Sequence, residues 1–372
     1  MKIGIDASFL ARDSRGMGRV TKSLINLMLA DTSNKYYFLT PLHKEDQPKI
    51  LKMYGEKAEF LTIQDADRLD VVWYPWNRID FLPKCRRVVT IHDVAMFRYF
   101  PHNKIDSYND RQRIRKAVSS ADIIVTVSEF SKSEIITFLE IQPSIIKVIP
   151  NGVDSNFMPS APENPIEFLN TFADGQNYIL FVGSPDKRKD LKTLLLAFDI
   201  FKKKTGLPHK LLLASNKPSL NKTNKFTRFF LKTMGQRPEI NIISYIEDKM
   251  EFKKDVIWLG NVSDGDLVKL YNQCSVFVFP SLYEGFGIPV LEAFSCRAPV
   301  IASDIPVFRE IGGDAPFYFT PSDPEDLANK INKVVTSPQI VKLMKTRGAE
   351  RLQYFSWQRS CDEYLKLFNS LR

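Results

Sequence analysis

Two glutamates frame a glycine loop in the segment Phe279-Pro-Ser-Leu-Tyr-Glu-Gly-Phe-Gly-Ile-Pro-Val-Leu-Glu292. A strand ending at Phe279 would deliver this loop to a helix, and Pro289 suits the first helical residue because its missing N–H would be unpaired there anyway. Gly285 and Gly287 let a ligand approach the backbone, and the free N–H groups with the helix dipole favour a diphosphate. The glycines and Pro289 keep Glu284 and Glu292 off one helix face, placing Glu284 in the loop and Glu292 in the first helical turn. Taken singly, the dipole would explain Glu292, and Glu284 would be an exposed loop acid. Two more groups could carry chemistry. Arg188 and Lys189 lie in the charged run Asp186 to Asp190, just after Gly183, where they could meet a diphosphate. His92 and Asp93 follow the apolar run Val88 to Ile91.

These residues need strand ends to hold them. Apolar runs at Ile3–Asp6, Tyr36–Thr40, Val71–Tyr74, Val88–Ile91, Ile123–Val127 and Ile145–Ile149 read as buried parallel strands separated by helices. A polar, Pro- and Asn-rich stretch, Ser155 to Asn177, follows. The pattern then restarts at Tyr178–Val182, Lys210–Ala214, Val256–Leu259, Val276–Phe279, Val300–Ala302 and Phe317–Phe319. Two βα series predict an α/β protein of two doubly wound domains, 1–165 and 170–352, with ligands beyond the carboxyl ends of the strands. Residues 353–372 predict a closing amphipathic helix that crosses back to the first domain, with Cys361, Tyr364, Leu365 and Phe368 on one side.

Order and spacing of several segments resemble the retaining nucleotide-sugar glycosyltransferases of the E-x7-E type, the GT-B family (glycosyltransferase family 4 and glycosyl transferases group 1). Besides Glu284 and Glu292, Ser14-Arg-Gly-Met-Gly-Arg-Val20 resembles that family's first glycine-rich loop, through Gly16 and Gly18. Thr90-Ile-His-Asp-Val94 is similar to its strand-end His-Asp, and Val127-Ser-Glu-Phe-Ser-Lys132 to its serine-rich turn, through Ser128. Pro150-Asn-Gly-Val-Asp154 matches the segment before its linker. Phe181 to Asp190 resembles its glycine-then-Arg-Lys phosphate loop, and Leu259 to Asp264, with Val262, its turn near the nucleobase. Ser184 and Pro185 depart from the pattern, where many relatives carry a further basic residue.

The resemblance implies two Rossmann-like domains facing a central cleft, the first on the acceptor side and the second binding the nucleotide sugar, and metal-independent hexosyl transfer. Glu284, His92, Arg188 and Lys189 would serve catalysis. Gly16, Gly18, Gly183, Val262, Gly285, Phe286, Gly287, Ile288 and Glu292 would hold the donor, and Asp93 and Ser128 would contact acceptor or sugar. Glu292 would accept the ribose hydroxyls. The look is closest to mannosyl- and rhamnosyltransferases of bacterial surface polysaccharides, which implies GDP-mannose as donor and a glycan or lipid-linked glycan as acceptor. The alternatives are a UDP- or dTDP-sugar donor, an epimerase or hydrolase of the same architecture, or a catalytically silent membrane scaffold.

Composition narrows the classes. The 372 residues suffice for two or three domains, and 44% hydrophobic with 26% charged residues excludes disorder as the main state. The net charge of +9 favours anionic partners, but no helix-turn-helix, zinc-finger or RNA-binding signature accompanies it, so nucleic acid is not expected. Cys85, Cys274, Cys296 and Cys361 form no C-x-x-C pair, which fits a reducing cytoplasm. Asp264-Gly-Asp266 has a metal-binding spacing, yet it precedes the helical pattern Leu267, Leu270, Tyr271 and reads as a helix cap, so neither metal nor cofactor is expected. In Ser219 to Lys254, Lys225, Arg228 and Lys232 fall on one helical face and Phe226, Phe230 and Met234 on another. That pattern suits an anionic membrane surface, the inner face of the plasma membrane, against the simpler reading of an inserted helix packed on its own domain.

Overall fold

The computed structural model describes residues 1–13, 16–99, 104–160, 165–217 and 249–372. The amphipathic stretch around Lys225 to Met234 lies outside them.

The chain forms two compact units: Met1–Asp154 with Glu284–Ile288 and Gln353–Arg372, and Ser155–Tyr283 with Pro289–Leu352. The first holds β1 (Lys2–Asp6), α1 (Gly16–Met28), β2 (Lys35–Leu39), α2 (Gln47–Tyr54), β3 (Glu59–Leu61), β4 (Val71–Tyr74), β5 (Arg86–Thr90), α3 (Ala95–Arg98), α4 (Lys104–Ser120), β6 (Ile123–Thr126), α5 (Glu129–Leu139) and β7 (Ile146–Val148). The second holds α6 (Pro165–Ala173), β8 (Tyr178–Val182), α7 (Leu191–Thr205), β9 (Lys210–Ala214), β10 (Val256–Trp258), α8 (Asp264–Gln273), β11 (Val276–Phe279), α9 (Ile288–Ser295, begun in the first unit's segment), β12 (Val300–Ser303), α10 (Pro306–Gly312), β13 (Phe317–Phe319), α11 (Pro324–Val335) and α12 (Pro338–Leu352). α13 (Trp357–Asn369) belongs to the first unit.

Both sheets are parallel, in the orders β3-β2-β1-β4-β5-β6-β7 and β10-β9-β8-β11-β12-β13. In each, order reverses about the first strand of the series, so strand ends diverge there and leave room for ligands. Every predicted run carries a strand. The edge strand β3 escapes the sequence pattern because its Glu-Phe-Leu is short and only partly buried.

Alternate residues of the first sheet enter two cores, as the two-residue period requires. Ile3, Ile5, Val71 and Trp73 pack with α1 and α13, while Leu39, Val72, Tyr74 and Val89 face Ile114, Ala117 and Ile135 on the other side. α13 is capped by Ser356, whose side chain accepts from the Arg359 N–H. Its Cys361, Tyr364 and Phe368 are buried and Leu365 partly so. Tyr364 Oη and Trp73 Nε1 both lie 2.8 Å from Thr90 Oγ1, at the end of β5.

Two boundaries differ from the sequence expectation. The first unit stops at Asp154 rather than 165, because Phe157 packs on Tyr271 and the Ser160 N–H bonds Asn272 Oδ1, both in the second unit. The loop Glu284–Ile288, expected in the second domain, belongs to the first unit.

Candidate active site

In the first unit the chemistry gathers at the ends of β5 and β6. His92 is buried, and its Nε2 lies 3.0 Å from Pro75 O. A carbonyl only accepts, so Nε2 carries the hydrogen and Nδ1 keeps its lone pair. Burial pushes the imidazole below its ordinary pKa and favours this neutral form. The His92 backbone N–H donates to Asn77 Oδ1 at 2.6 Å.

Gly285 lies against this strand end. A Cβ there would sit 2.3 Å from His92 O and 2.9 Å from Asp93 Cβ, so only glycine fits. The Gly285 carbonyl accepts from Ser128 Oγ at 2.6 Å and Ser131 Oγ at 2.9 Å. Ser128 also caps α5 by accepting the Ser131 N–H at 3.0 Å. Its one hydroxyl hydrogen is therefore committed to the loop. Ser131, inside the Val127 to Lys132 motif, is a second donor that no local feature of the sequence marks. Asp93 Oδ1 accepts the N–H of Ala95, the first residue of α3, at 3.0 Å.

The rest of the loop is held by packing. Phe286 is buried edge-on against Phe355, ring centroids 5.8 Å apart, and Gly287 has φ +101°, a value that favours glycine. Ile288, rather than Pro289, is the first helical residue of α9, and it packs on the core under α13. Glu284 is half-buried. Gly16 and Gly18 open α1, and Gly18 is buried against the Asp13 backbone.

The second unit carries its own set. Gly183 follows β8 with φ +149°, and a Cβ there would lie 3.6 Å from Lys189 Cε. Asp186 caps the turn Lys187–Lys189 by accepting the Arg188 N–H at 3.0 Å. Arg188 Nε lies 3.4 Å from the same carboxylate, and the Arg188 carbonyl accepts the Leu282 N–H at 2.7 Å. This last bond ties the basic turn to the segment leading into the loop. Lys189 Nζ stands 4.8 Å from the centroid of the Phe279 ring. Arg188 is half-buried.

Glu292 is the fifth residue of α9, beyond the first turn expected for it, so the helix dipole does not account for it. It is buried and accepts from Tyr271 Oη at 3.2 Å. Burial, with the Glu292 charge second, raises the Tyr271 phenol well above its ordinary pKa. Val262 is half-exposed just before α8. There Ser263, not an aspartate, is the capping residue, with Asp264 and Asp266 in the first turn.

Residues 164–351 match the model of the family described as Glycosyl transferases group 1, half of the chain. The chain belongs to that family. Residues 37–157 match Glycosyltransferase Family 4. The chain is 28% identical over 291 residues to O-antigen chain mannosyltransferase B of Escherichia coli, covering 77% of this chain and 71% of that one. It is 24% identical to the serotype-specific mannosyltransferase WbdA of Escherichia coli over 80% of this chain, yet it spans only 34% of WbdA's length. Among solved structures, Anabaena HepE in complex with UDP and glucose superposes with a TM-score of 0.74 at 16% identity over all of both chains, which establishes the GT-B fold. For this family member, no helix among the described residues is long and apolar enough to cross a membrane.

Proposed function

We propose that the chain transfers mannose from GDP-mannose to a hydroxyl of a glycan or lipid-linked glycan acceptor in surface polysaccharide synthesis, with retention at the anomeric carbon and without a metal. The observation that carries this reading is the Glu284–Ile288 loop, locked by two serines and a glycine contact onto the strand end that bears His92. Relatives named as O-antigen mannosyltransferases support the sugar.

Cleaving the anomeric bond develops positive charge on the sugar and negative charge on the leaving diphosphate. Arg188, Lys189 and the N–H groups opening α9 are suited to the diphosphate, in the role a metal fills in other transferases. Glu284 holds sugar hydroxyls near the reacting carbon, and Nδ1 of the neutral His92 accepts a further one. The two oxygens of Glu292 receive the ribose hydroxyls, with Tyr271 fixing the carboxylate. Gly16, Gly183 and Val262 leave room for phosphates and base, and Gly18 serves the donor site by letting the Asp13 backbone close over the start of α1.

The test is a panel of GDP-mannose, UDP-glucose and dTDP-rhamnose in EDTA, with proton NMR of the linkage formed. GDP-mannose is expected to be consumed and its anomeric configuration kept. Glu284→Ala should lower kcat far more than it weakens nucleotide binding, whereas Glu292→Ala should weaken donor and free nucleotide alike. Inverted product, or full turnover in Glu284→Ala, overturns the mechanism. Consumption of UDP-glucose instead favours the second reading, a UDP-sugar donor, which HepE's complex with UDP and glucose suggests. No consumption of any donor would point to the silent scaffold, and a product formed without acceptor to an epimerase or hydrolase.

A further inference from the structure

His92 lies beyond the end of β5 at Thr90, where the strand itself no longer holds it. Its main chain is nevertheless fixed on both sides. Toward β6, the Ile91 N–H donates to Val125 O at 2.8 Å, Thr126 Oγ1 donates to Ile91 O at 2.8 Å, and Ser131 Oγ donates to His92 O at 3.3 Å. Toward β4, the parallel register runs through Trp73↔Val88 and Tyr74↔Val89 and then meets Pro75, which has no N–H to give the ladder. Asn77 closes this gap. Its N–H donates to Thr90 O at 3.2 Å and its Oδ1 accepts the His92 N–H at 2.6 Å, so a side-chain carbonyl does what the next backbone carbonyl of a strand would do.

Two requirements meet at that position. The backbone is left-handed, φ +57°, a region that glycine, asparagine and aspartate enter most readily. The buried His92 N–H also needs an acceptor, which glycine lacks and asparagine supplies. The same loop sets the ring: Pro75 O, 3.0 Å from Nε2, keeps the hydrogen on that nitrogen, and Nδ1 has no partner among the described residues. A small shift of the His92 main chain would lengthen the bond to Pro75 O and let the ring carry its hydrogen on either nitrogen.

We propose that Asn77 is a positioning residue for His92: by holding the His92 N–H past the end of β5 it keeps Nε2 on Pro75 O and presents Nδ1 to the donor sugar as an acceptor alone. Asn77 acts through His92, and this inference rests on the role given to that histidine in the glycosyl-transfer reading above.

The test labels the four histidines of the full chain with 15N and assigns His92 by its loss in His92→Gln. At pH 8 and without donor, His92 should show one tautomer, with hydrogen on Nε2 and none on Nδ1. Asn77→Gly keeps the left-handed backbone and removes the carbonyl. It should mix the tautomers and lower kcat about tenfold, with nucleotide affinity within about twofold of wild type. Asn77→Asp, which keeps an acceptor oxygen, should restore the single tautomer and return kcat to within about threefold of wild type at that pH. The pH profile adds a readout that a merely structural role would not move. Burial holds the imidazole below its ordinary pKa, opposed by the charges of Asp93 and Asp13, so wild-type turnover should fall only as pH drops through that low value. In Asn77→Gly water reaches the ring, and in Asn77→Asp a new carboxylate favours the imidazolium, so in both the acid limb of kcat and the 15N titration of His92 should move together to higher pH. Melting curves separate a lost seat from a lost fold, and the wild-type tautomer is read with no variant at all. Hydrogen on Nδ1 in the wild type, an unchanged tautomer in Asn77→Gly, or an Asn77→Asp chain no better than Asn77→Gly overturns the proposal. Because the tautomer is read without donor, its failure removes this inference alone, whereas absent turnover and nucleotide binding in the wild type removes the reading on which it rests.

Discussion

The loop Glu284–Ile288 and the turn Lys187–Lys189, the two segments proposed to meet the donor, are held in different ways. The loop is fixed through its main chain: the Gly285 carbonyl takes two serine hydroxyls, and its Cα touches the β5 end with no space for a methyl group. The turn is fixed mainly at its start, by one aspartate side chain that caps it and pairs with Arg188, with a single main-chain bond from the Leu282 N–H to the Arg188 carbonyl, and it stays half-exposed. Backbone anchoring sets position within tenths of an ångström, as charge development at a reacting carbon requires. Long cations on a capped turn supply field strength and can adjust as a leaving group moves.

That contrast is most directly broken at Gly285. Gly285→Ala must displace the loop from His92 O, and turnover is expected to fall by roughly 100-fold or more, by the sensitivity of catalysis to small misplacements. Free-nucleotide affinity should change far less. Equal losses of kcat and affinity would mean that the loop and turn act as one binding surface.

A second test probes burial itself in the first unit. Asp6 is fully buried at the end of β1, where burial raises its pKa from 3.8 to about 7, opposed by bonds from Ser8. The unfolded chain loses this proton near pH 4 and the folded chain near pH 7. The native state thus binds more protons between those values, and stability falls as pH rises through the window before levelling off above it. Asp6→Asn should remove that slope and gain roughly 3 kcal/mol at pH 8 relative to pH 4.5, read from urea melts at both values. A slope unchanged by the substitution would show that Asp6 is not the group responsible.

The smallest effect is expected in the second unit. Asp186→Asn keeps a cap but loses the charge beside Arg188, and this half-exposed pair should contribute under about 1 kcal/mol to stability. Nucleotide affinity should hold or rise slightly, measured by calorimetry, because Arg188 no longer has a competing anion. A tenfold loss would show that Asp186 orients Arg188 for the ligand.

Much of this architecture is legible in the sequence because both faces of each sheet are covered by helices. Strands such as Val71–Tyr74 and Val276–Phe279 therefore read as uninterrupted apolar runs. Positions needing glycine, and charges that follow strands, were equally visible. What stayed hidden depends on contacts distant in the chain. Nothing local to Ser131 announces a bond to a carbonyl 154 residues away. Tyr271 reads as one more apolar position of α8, although its hydroxyl donates to Glu292. Asn77 gave no signal, since its role comes from a left-handed backbone and a distant histidine amide.

Thr90 meets Tyr364 across 274 residues of chain. A ribosome moving at about 5–20 residues per second takes roughly 15–55 s to cover that distance, and throughout it the seat of α13 on the first sheet stands open. The second unit's sequence emerges complete within the interval, so the unit that starts first is the one that finishes last. A nascent-chain binder that shields exposed apolar surface would find its target there, on the face that Trp73 and Thr90 share.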